Sequence, residues 1–411
     1  MQFNDIKILY FVSGKLGLSE VFLYKVFLIL YLIVIYVFLL LWFLHLELSV
    51  IFLTFIFLSS CIIILSQNLI LIYLGLEFQG FSILVLIGSN KNSLVSIESI
   101  MKYFVLGALS SGFYLLGLSL IYSSVLTLNL SDMLLLGEEV KVQIGMVLIS
   151  LVVLFKLGAA PFYHWLIDVY ESVSWPVLGL LGSLPKISYL VVLYELCFFN
   201  KYILLISSMV CIVIGVLGGF NQTKIKRLLG YSTLNHTGLL LLILLLPGID
   251  SFSVFIFYYI IYTLNFLGFT IICEKLNKNS KYLIDFIGLK YINGVLSISV
   301  IVLFLSLAGL PPLSGFLSKW FLIVNLIINN YVVFSLIIIF TSVLTIGYYL
   351  RLIKMLYFQS KSDFINWERI LMKDKEKPVF IWLILSLLVY MSSLFIINPE
   401  ILFLVINYFI I

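Results

Sequence analysis

Five residues stand where an apolar chain should carry no charge or titratable group: Glu77, Lys156, Lys186, His236 and Lys319. Glu77 lies in LIYLGLEFQGFSILVLIG, Lys186 in LLGSLPKISYLVVLY and His236 in YSTLNHTGLLLLI. A charged side chain at the centre of a membrane costs about 3 kcal/mol on insertion scales, so such groups are retained chiefly where they line an ion or proton path. Carboxylate, imidazole and amine all take up and release protons, and imidazole does so near neutral pH. The chemistry these residues suit is therefore reversible protonation. Two of the lysines accompany interruptions. Lys156 opens KLGAAPFYHWLIDVYESVSWP, in which Pro161 removes a backbone donor and clashes with the preceding turn, so a helix should break there. Lys319 follows the second, SLAGLPPLSGFLSKW, with Gly309, Pro311 and Pro312. A charge beside a broken helix at membrane depth is the arrangement of an ion pathway. His164, Asp168 and Glu171 follow the first break, and His164 either caps it or joins the path.

The elements that must hold these groups follow from composition. The chain has 411 residues, 63% of them hydrophobic and 10% charged, with a mean hydropathy of +1.22. A soluble domain carries roughly 25% charged residues, so the solvent for most of this surface is lipid. Twelve apolar runs are long enough to cross about 30 Å of hydrocarbon. They fall near 22–44, 48–66, 69–89, 100–122, 142–163, 174–197, 201–220, 229–247, 252–274, 294–325, 330–357 and 378–397. Unbroken apolar runs argue for helices, because barrel strands alternate apolar with polar residues. The expected fold is an all-α polytopic membrane protein of about twelve helices. Gly107, Gly112 and Gly117 are positions where neighbouring helices are expected to approach closely.

Charge placement orients the runs. With twelve crossings, one side receives Lys7, Lys15, Lys25, Lys141 and Lys201, and the other receives fourteen lysines and arginines between Lys91 and Lys377. By the positive-inside bias, both termini face away from the cytoplasm or matrix. Spans two to six and seven to eleven can be superposed. In each five, the fourth span is the broken one, and the second carries a titratable group, Glu77 or His236. Five is odd, so the two units insert with opposite topology, the inverted-repeat plan of many transporters. The expected organisation is an N-terminal segment with one span (1–47), a first repeat (48–199), a second repeat (200–357), and a charged loop with a last span (358–411). Lys102 and Glu195 lie near span ends and read as interfacial.

Absences narrow the function. Cys61, Cys197, Cys211 and Cys273 sit in apolar runs without metal-ligand spacing and read as small packed hydrophobes. No dinucleotide fingerprint, P-loop or iron–sulfur spacing is present. No metal site, redox cofactor or nucleic-acid partner is expected of this chain. Arginine occurs at 227, 351 and 369 only, leaving 21 of the 24 basic residues as lysine, a bias that suits an AT-rich genome such as that of an organelle. The opening MQFNDIKILY does not read as a transit peptide, which fits synthesis inside the organelle.

Five stretches together carry a resemblance: GLEFQGFSILVL, KLGAAPFYHWLIDVYESVSWPV, NQTKIKRLLGYSTLNHTG, SLAGLPPLSGFLSKW and YYLRLIKMLYF. In this order, across roughly residues 45–360, they resemble the NADH:ubiquinone oxidoreductase chain 2 family, the antiporter-like membrane subunits of respiratory complex I that are similar to bacterial chain N. GLPP alone is shared with the multi-subunit cation/proton antiporters, the alternative reading; the combination is specific to chain 2. The resemblance implies a proton-translocating subunit of NADH:ubiquinone reductase in the mitochondrial inner membrane, termini in the intermembrane space. It implies neighbouring complex I membrane subunits and lipids such as cardiolipin as partners, with FMN, iron–sulfur clusters and ubiquinone bound elsewhere in the complex. On it, Glu77 matches the carboxylate paired with the broken-helix lysine, Lys156. Lys186 matches the next lysine along the axis, His236 the bridge between halves, and Lys319 the lysine near the exit.

Overall fold

The computed structural model describes residues 25–40, 42, 47–89, 94–130, 133, 139–247, 249–276, 282–287, 294–311 and 313–359. In lipid an apolar run can satisfy its own backbone only as a helix, and the described residues form thirteen α-helices. They are α1 (Lys25–Leu40), α2 (Glu47–Leu65), α3 (Leu69–Ile87), α4 (Leu94–Val125), α5 (Val140–Leu157), α6 (His164–Ser172) and α7 (Trp175–Gly182). There follow α8 (Leu184–Phe220), α9 (Ile225–Leu244), α10 (Ile249–Leu276), α11 (Gly294–Ala308), α12 (Ser314–Ile328) and α13 (Val332–Tyr357). Non-helical backbone at Asn200 divides α8, so Trp175–Cys197 and Phe199–Phe220 are separate crossings. Seven described segments are long and apolar enough to cross a membrane, and α1, α2, α11 and α12 are shorter apolar helices. The chain is an all-helical multi-pass membrane protein. The expected twelfth run, 378–397, and Pro312 lie outside the described residues.

The core is a large apolar cluster into which buried polar residues are set. Trp175–Cys197 and α10 are almost wholly buried, and α9 is buried along nearly all of its length although it carries Ser232, Thr233, Asn235, His236 and Thr237. Around them α2, α4 and α13 turn broad apolar faces outward, as Phe113, Leu116 and Phe340 illustrate. Polar residues thus line the protein interior, and apolar ones face the hydrocarbon.

Contacts at the helix ends sort the connections into two faces. On one, Lys224 bridges to Tyr282 and Arg351 donates to the Phe220 carbonyl. On the other, Asn68 bridges to Asn129, Lys25 pairs with Glu195 at 2.7 Å, and Lys201 donates to the Tyr331 hydroxyl at 3.0 Å. Among the described residues, the first face carries Lys224, Lys226, Arg227, Arg351 and Lys354 and is the lysine-rich one.

Both interruptions are built alike. At the end of α5, Gly158 adopts φ 72°; its N–H meets the Phe155 carbonyl, and that of Ala159 meets the Leu154 carbonyl. At the end of α11, Gly309 adopts φ 81°; its N–H meets the Ser306 carbonyl, and that of Leu310 meets the Leu305 carbonyl. This is the glycine-capped Schellman ending, which needs a left-handed residue. It corrects the proline argument: α5 ends at Gly158, three residues before Pro161, so Pro161 follows a stop already made. Pro311 likewise trails Gly309. The close-approach expectation also divides. A Cβ on Gly117 would lie 2.9 Å from the Gly145 carbonyl of α5, whereas at Gly107 and Gly112 there is nothing within 4 Å. Gly117 is on the face of α4 that meets α5; the other two are not.

Candidate functional site

Glu77 sits at the middle of α3, and the end of α5 stops beside it. Lys156, in the last turn of α5, reaches Glu77 Oε1 at 2.8 Å and the Leu76 carbonyl at 3.2 Å. Its side chain is 8% exposed and that of Glu77 is 23% exposed. A Cβ on Gly80 would lie 3.7 Å from Lys156 Nζ, an ordinary contact, so the ammonium rests against this turn of α3. The C-terminal end of a helix favours a cation, and α5 ends here because Gly158 ends it. The structure thus gives the carboxylate one direct partner, the lysine of the first break.

Lys186 follows a third interruption. Ser183, at φ −119° and ψ −87°, separates α7 from α8 within one crossing. Three residues on, Lys186 is buried, with its Nζ 3.4 Å from the Tyr262 hydroxyl and 5.6 Å from the centre of that ring. Tyr262 also lies against His236, ring centres 5.2 Å apart. His236 shares a 2.8 Å hydrogen bond between Nδ1 and the Tyr258 hydroxyl. Lys319, on the half-helix after the second break, is buried and donates at 2.7 Å to the Ala308 carbonyl, the last residue of α11. Each axial lysine therefore lies within a turn or so of an interruption, or touches its freed carbonyl. An interrupted helix leaves end carbonyls with no intrahelical donor, and an ammonium supplies donors.

The structure brings Glu77 and Lys156 into contact, and links Lys186 to His236 through Tyr262. Among the described residues, no carboxylate pairs with Lys186 or Lys319. Sequence reading passed over Tyr258, Tyr262 and Asn265, although their spacing in FYYIIYTLN puts them on one stripe of α10. It also passed over Ser183. Cys211 does more than fill space: its Sγ accepts from the Ala160 N–H at 2.9 Å, satisfying a backbone donor at the first break. His164 is the first residue of α6 and lies exposed against the Tyr163 ring at 4.0 Å.

Asp168 and Glu171, on α6, belong to a separate ionic cluster on the lysine-rich face. Asp168 meets Lys102 of α4 at 2.8 Å and Arg227 of α9 at 3.8 Å; Glu171 meets Arg227 at 3.4 Å and pairs with Lys224. Lys102 also pairs with Glu98 at 2.6 Å. The cluster ties the half-helix after the first break to the start of α9. Asp168 and Arg227 are about a third exposed, so solvent weakens these pairs. Asp168→Asn should lower stability by no more than about 1 kcal/mol, and thermal unfolding of the purified protein in low and high salt, where the difference should shrink, checks it.

Residues 66–345 match the model of the family described as NADH:quinone oxidoreductase/Mrp antiporter, TM. Over 84% of this chain, and 92% of the relative, the sequence is 32% identical to NADH-ubiquinone oxidoreductase chain 2 of Metridium senile. The chain belongs to the NADH-ubiquinone oxidoreductase chain 2 family. NADH-quinone oxidoreductase subunit N of Hydrogenovibrio crunogenus is 30% identical over 74% of this chain and 66% of its own length. Within respiratory complex I from Thermus thermophilus, one chain matches the fold with a TM-score of 0.76 at 22% identity, covering 86% of this chain and 79% of that one. At that identity the likeness concerns the fold.

Proposed function

We propose that the chain is a proton-translocating membrane subunit of a respiratory NADH:ubiquinone oxidoreductase, with Glu77, Lys156, Lys186, His236 and Lys319 as its protonatable axis. The observation that carries this reading is the 2.8 Å Glu77–Lys156 pair beside the first break, in a chain of the chain 2 family. A carboxylate holds an ammonium charged in a low-dielectric site, and moving or protonating that carboxylate releases the hold. Alternate making and breaking of such a pair transfers a proton. The chain itself binds no redox cofactor on this reading. Electron transfer takes place in other subunits, which bind FMN, iron–sulfur clusters and ubiquinone, and cardiolipin is a suitable lipid partner for the lysine-rich face.

Capture of this chain from solubilised membranes should bring down an assembly that oxidises NADH and reduces quinone. A preparation free of NADH oxidation that exchanges sodium for protons would select the cation/proton antiporter reading instead, which shares the same family description.

The location proposed is the inner mitochondrial membrane, with the termini in the intermembrane space and residues 275–293 in the matrix, from the lysine asymmetry. A cysteine placed at Lys278 should be shielded from an impermeant thiol reagent in intact mitoplasts and labelled once they are opened. Labelling in the intact state would reverse the topology.

A further inference from the structure

Between His236 and the second break lies a cavity of about 10 Å³, lined among others by His236, Tyr258, Tyr262, Asn265, Ser306 and Ser318. Its volume suits one water molecule. Asn265 is 1% exposed, and neither its amide nitrogen nor its amide oxygen has a hydrogen-bond partner among the described residues. A buried primary amide with both ends unpaired is costly, and a water with two to four polar neighbours is the ordinary remedy. The neighbours are present. Ser306 and Ser318 spend their hydroxyl hydrogens on the Leu303 and Gly315 carbonyls, at 2.7 and 2.9 Å, which leaves oxygen lone pairs to accept. The two serines stand on either side of the break, and Ser318 adjoins Lys319.

The location adds a reason for the site to matter. On one side, Lys186 meets the Tyr262 hydroxyl, the Tyr262 ring packs against His236, and His236 is hydrogen-bonded to Tyr258. On the other, Lys319 is bonded to the Ala308 carbonyl. Among the described residues, no hydrogen bond joins His236 to Lys319. A cation is a poor occupant, because the Lys186 amine already sits beside the cavity, 3.4 Å from the Tyr262 hydroxyl. A neutral molecule of one heavy atom fits.

We propose that Asn265 is a positioning residue that holds one water between His236 and the second helix break, extending the polar route from His236 toward Lys319. The water accepts a proton on one lone pair and gives up another from one of its own O–H bonds, so the molecule is regenerated and no oxidant or leaving group is involved. An amide cannot relay a proton this way, so Asn265 holds the carrier and does not act as one. The role in transport rests on the proton-translocation reading; the presence of the water does not.

Two measurements on the whole complex test the proposal. A density map fine enough to show ordered waters should contain one within hydrogen-bonding distance of the Asn265 amide; an ordered map with none there overturns the site, whatever the variants do. Asn265→Leu keeps the branched shape and removes the polar atoms, and should cut NADH-driven proton uptake into vesicles about tenfold at an unchanged amount of assembled complex. Asn265→Ser keeps a polar atom and leaves room for water, and should stay within about twofold of the parent. Equal losses in both variants would mean a packing role and overturn the positioning role, as would a Leu variant that pumps normally. If Lys156→Arg pumps normally while the water is present, the proton reading of the axis fails and the water site stands.

Discussion

Complex carrying Lys156→Arg is expected to assemble and to move few protons per NADH oxidised, with transport down by about tenfold or more, equivalent to at least roughly 1.4 kcal/mol on the limiting step. Arginine keeps the charge and the partner, since a guanidinium bonds a carboxylate well, but it does not discharge at accessible pH. A site that only needed a cation to neutralise Glu77 would accept it. A site that must lose and regain a proton would stall. Glu77→Gln attacks the same step from the other side, for an ammonium left in a low-dielectric site without its carboxylate sheds its proton. Lys156→Met leaves Glu77 without its 2.8 Å partner. Losing one member of a buried pair costs about 3–5 kcal/mol if the other stays charged, and much less if it neutralises. All three variants should therefore assemble and fail in transport. Proton uptake by proteoliposomes, measured against NADH consumed, is the readout, and a normal ratio for Lys156→Arg would remove Lys156 from the list of proton carriers.

Gly315→Ala should prevent the complex from accumulating. A Cβ built on Gly315 would lie 1.6 Å from the carbonyl oxygen of Ser306 and 2.6 Å from its carbonyl carbon. Those are backbone atoms of α11, so no side-chain rotation relieves the collision. The two half-helices of the second break would have to separate. Overpacking in a dense interior typically costs about 1–3 kcal/mol, occasionally more, and a clash this deep with rigid backbone belongs at or beyond the upper end. Separation would also move Lys319 away from the Ala308 carbonyl, 2.7 Å distant. Gly107→Ala is the matched control: nothing lies within 4 Å of its Cβ position, and alanine in a helix interior is favoured over glycine by about 0.5–1 kcal/mol. The same chemical change should thus be harmful at one site and neutral or mildly stabilising at the other. The yield and thermal stability of the complex decide it; normal yield from Gly315→Ala would mean that the half-helices are not held as closely as described.

What the sequence determined by itself is what depends on position along one dimension. Apolar runs of about 20 residues fix which segments cross, because the thickness of the hydrocarbon sets their length. The charge of Glu77, Lys156, Lys186 and Lys319 inside such runs marked them as functional candidates, because the cost of a charge in lipid is paid whatever the fold. The lysine asymmetry sorted the loops into two sets by the same one-dimensional rule. Tertiary structure decided the partners. Lys156 and Glu77 are 79 positions apart in the chain, and only the packing of α3 and α5 on α4, which brings the end of α5 to the middle of α3, makes them a pair. Tyr258 and Tyr262 are ordinary aromatic residues of an apolar helix until α10 lies between Lys186 and His236. The Ala308 carbonyl becomes a ligand for Lys319 only because Gly309 stops α11 and the absence of a side chain at Gly315 lets α12 return against it. Hydropathy is a property of each residue, whereas a proton path is a property of distances between residues, and helix packing sets those distances.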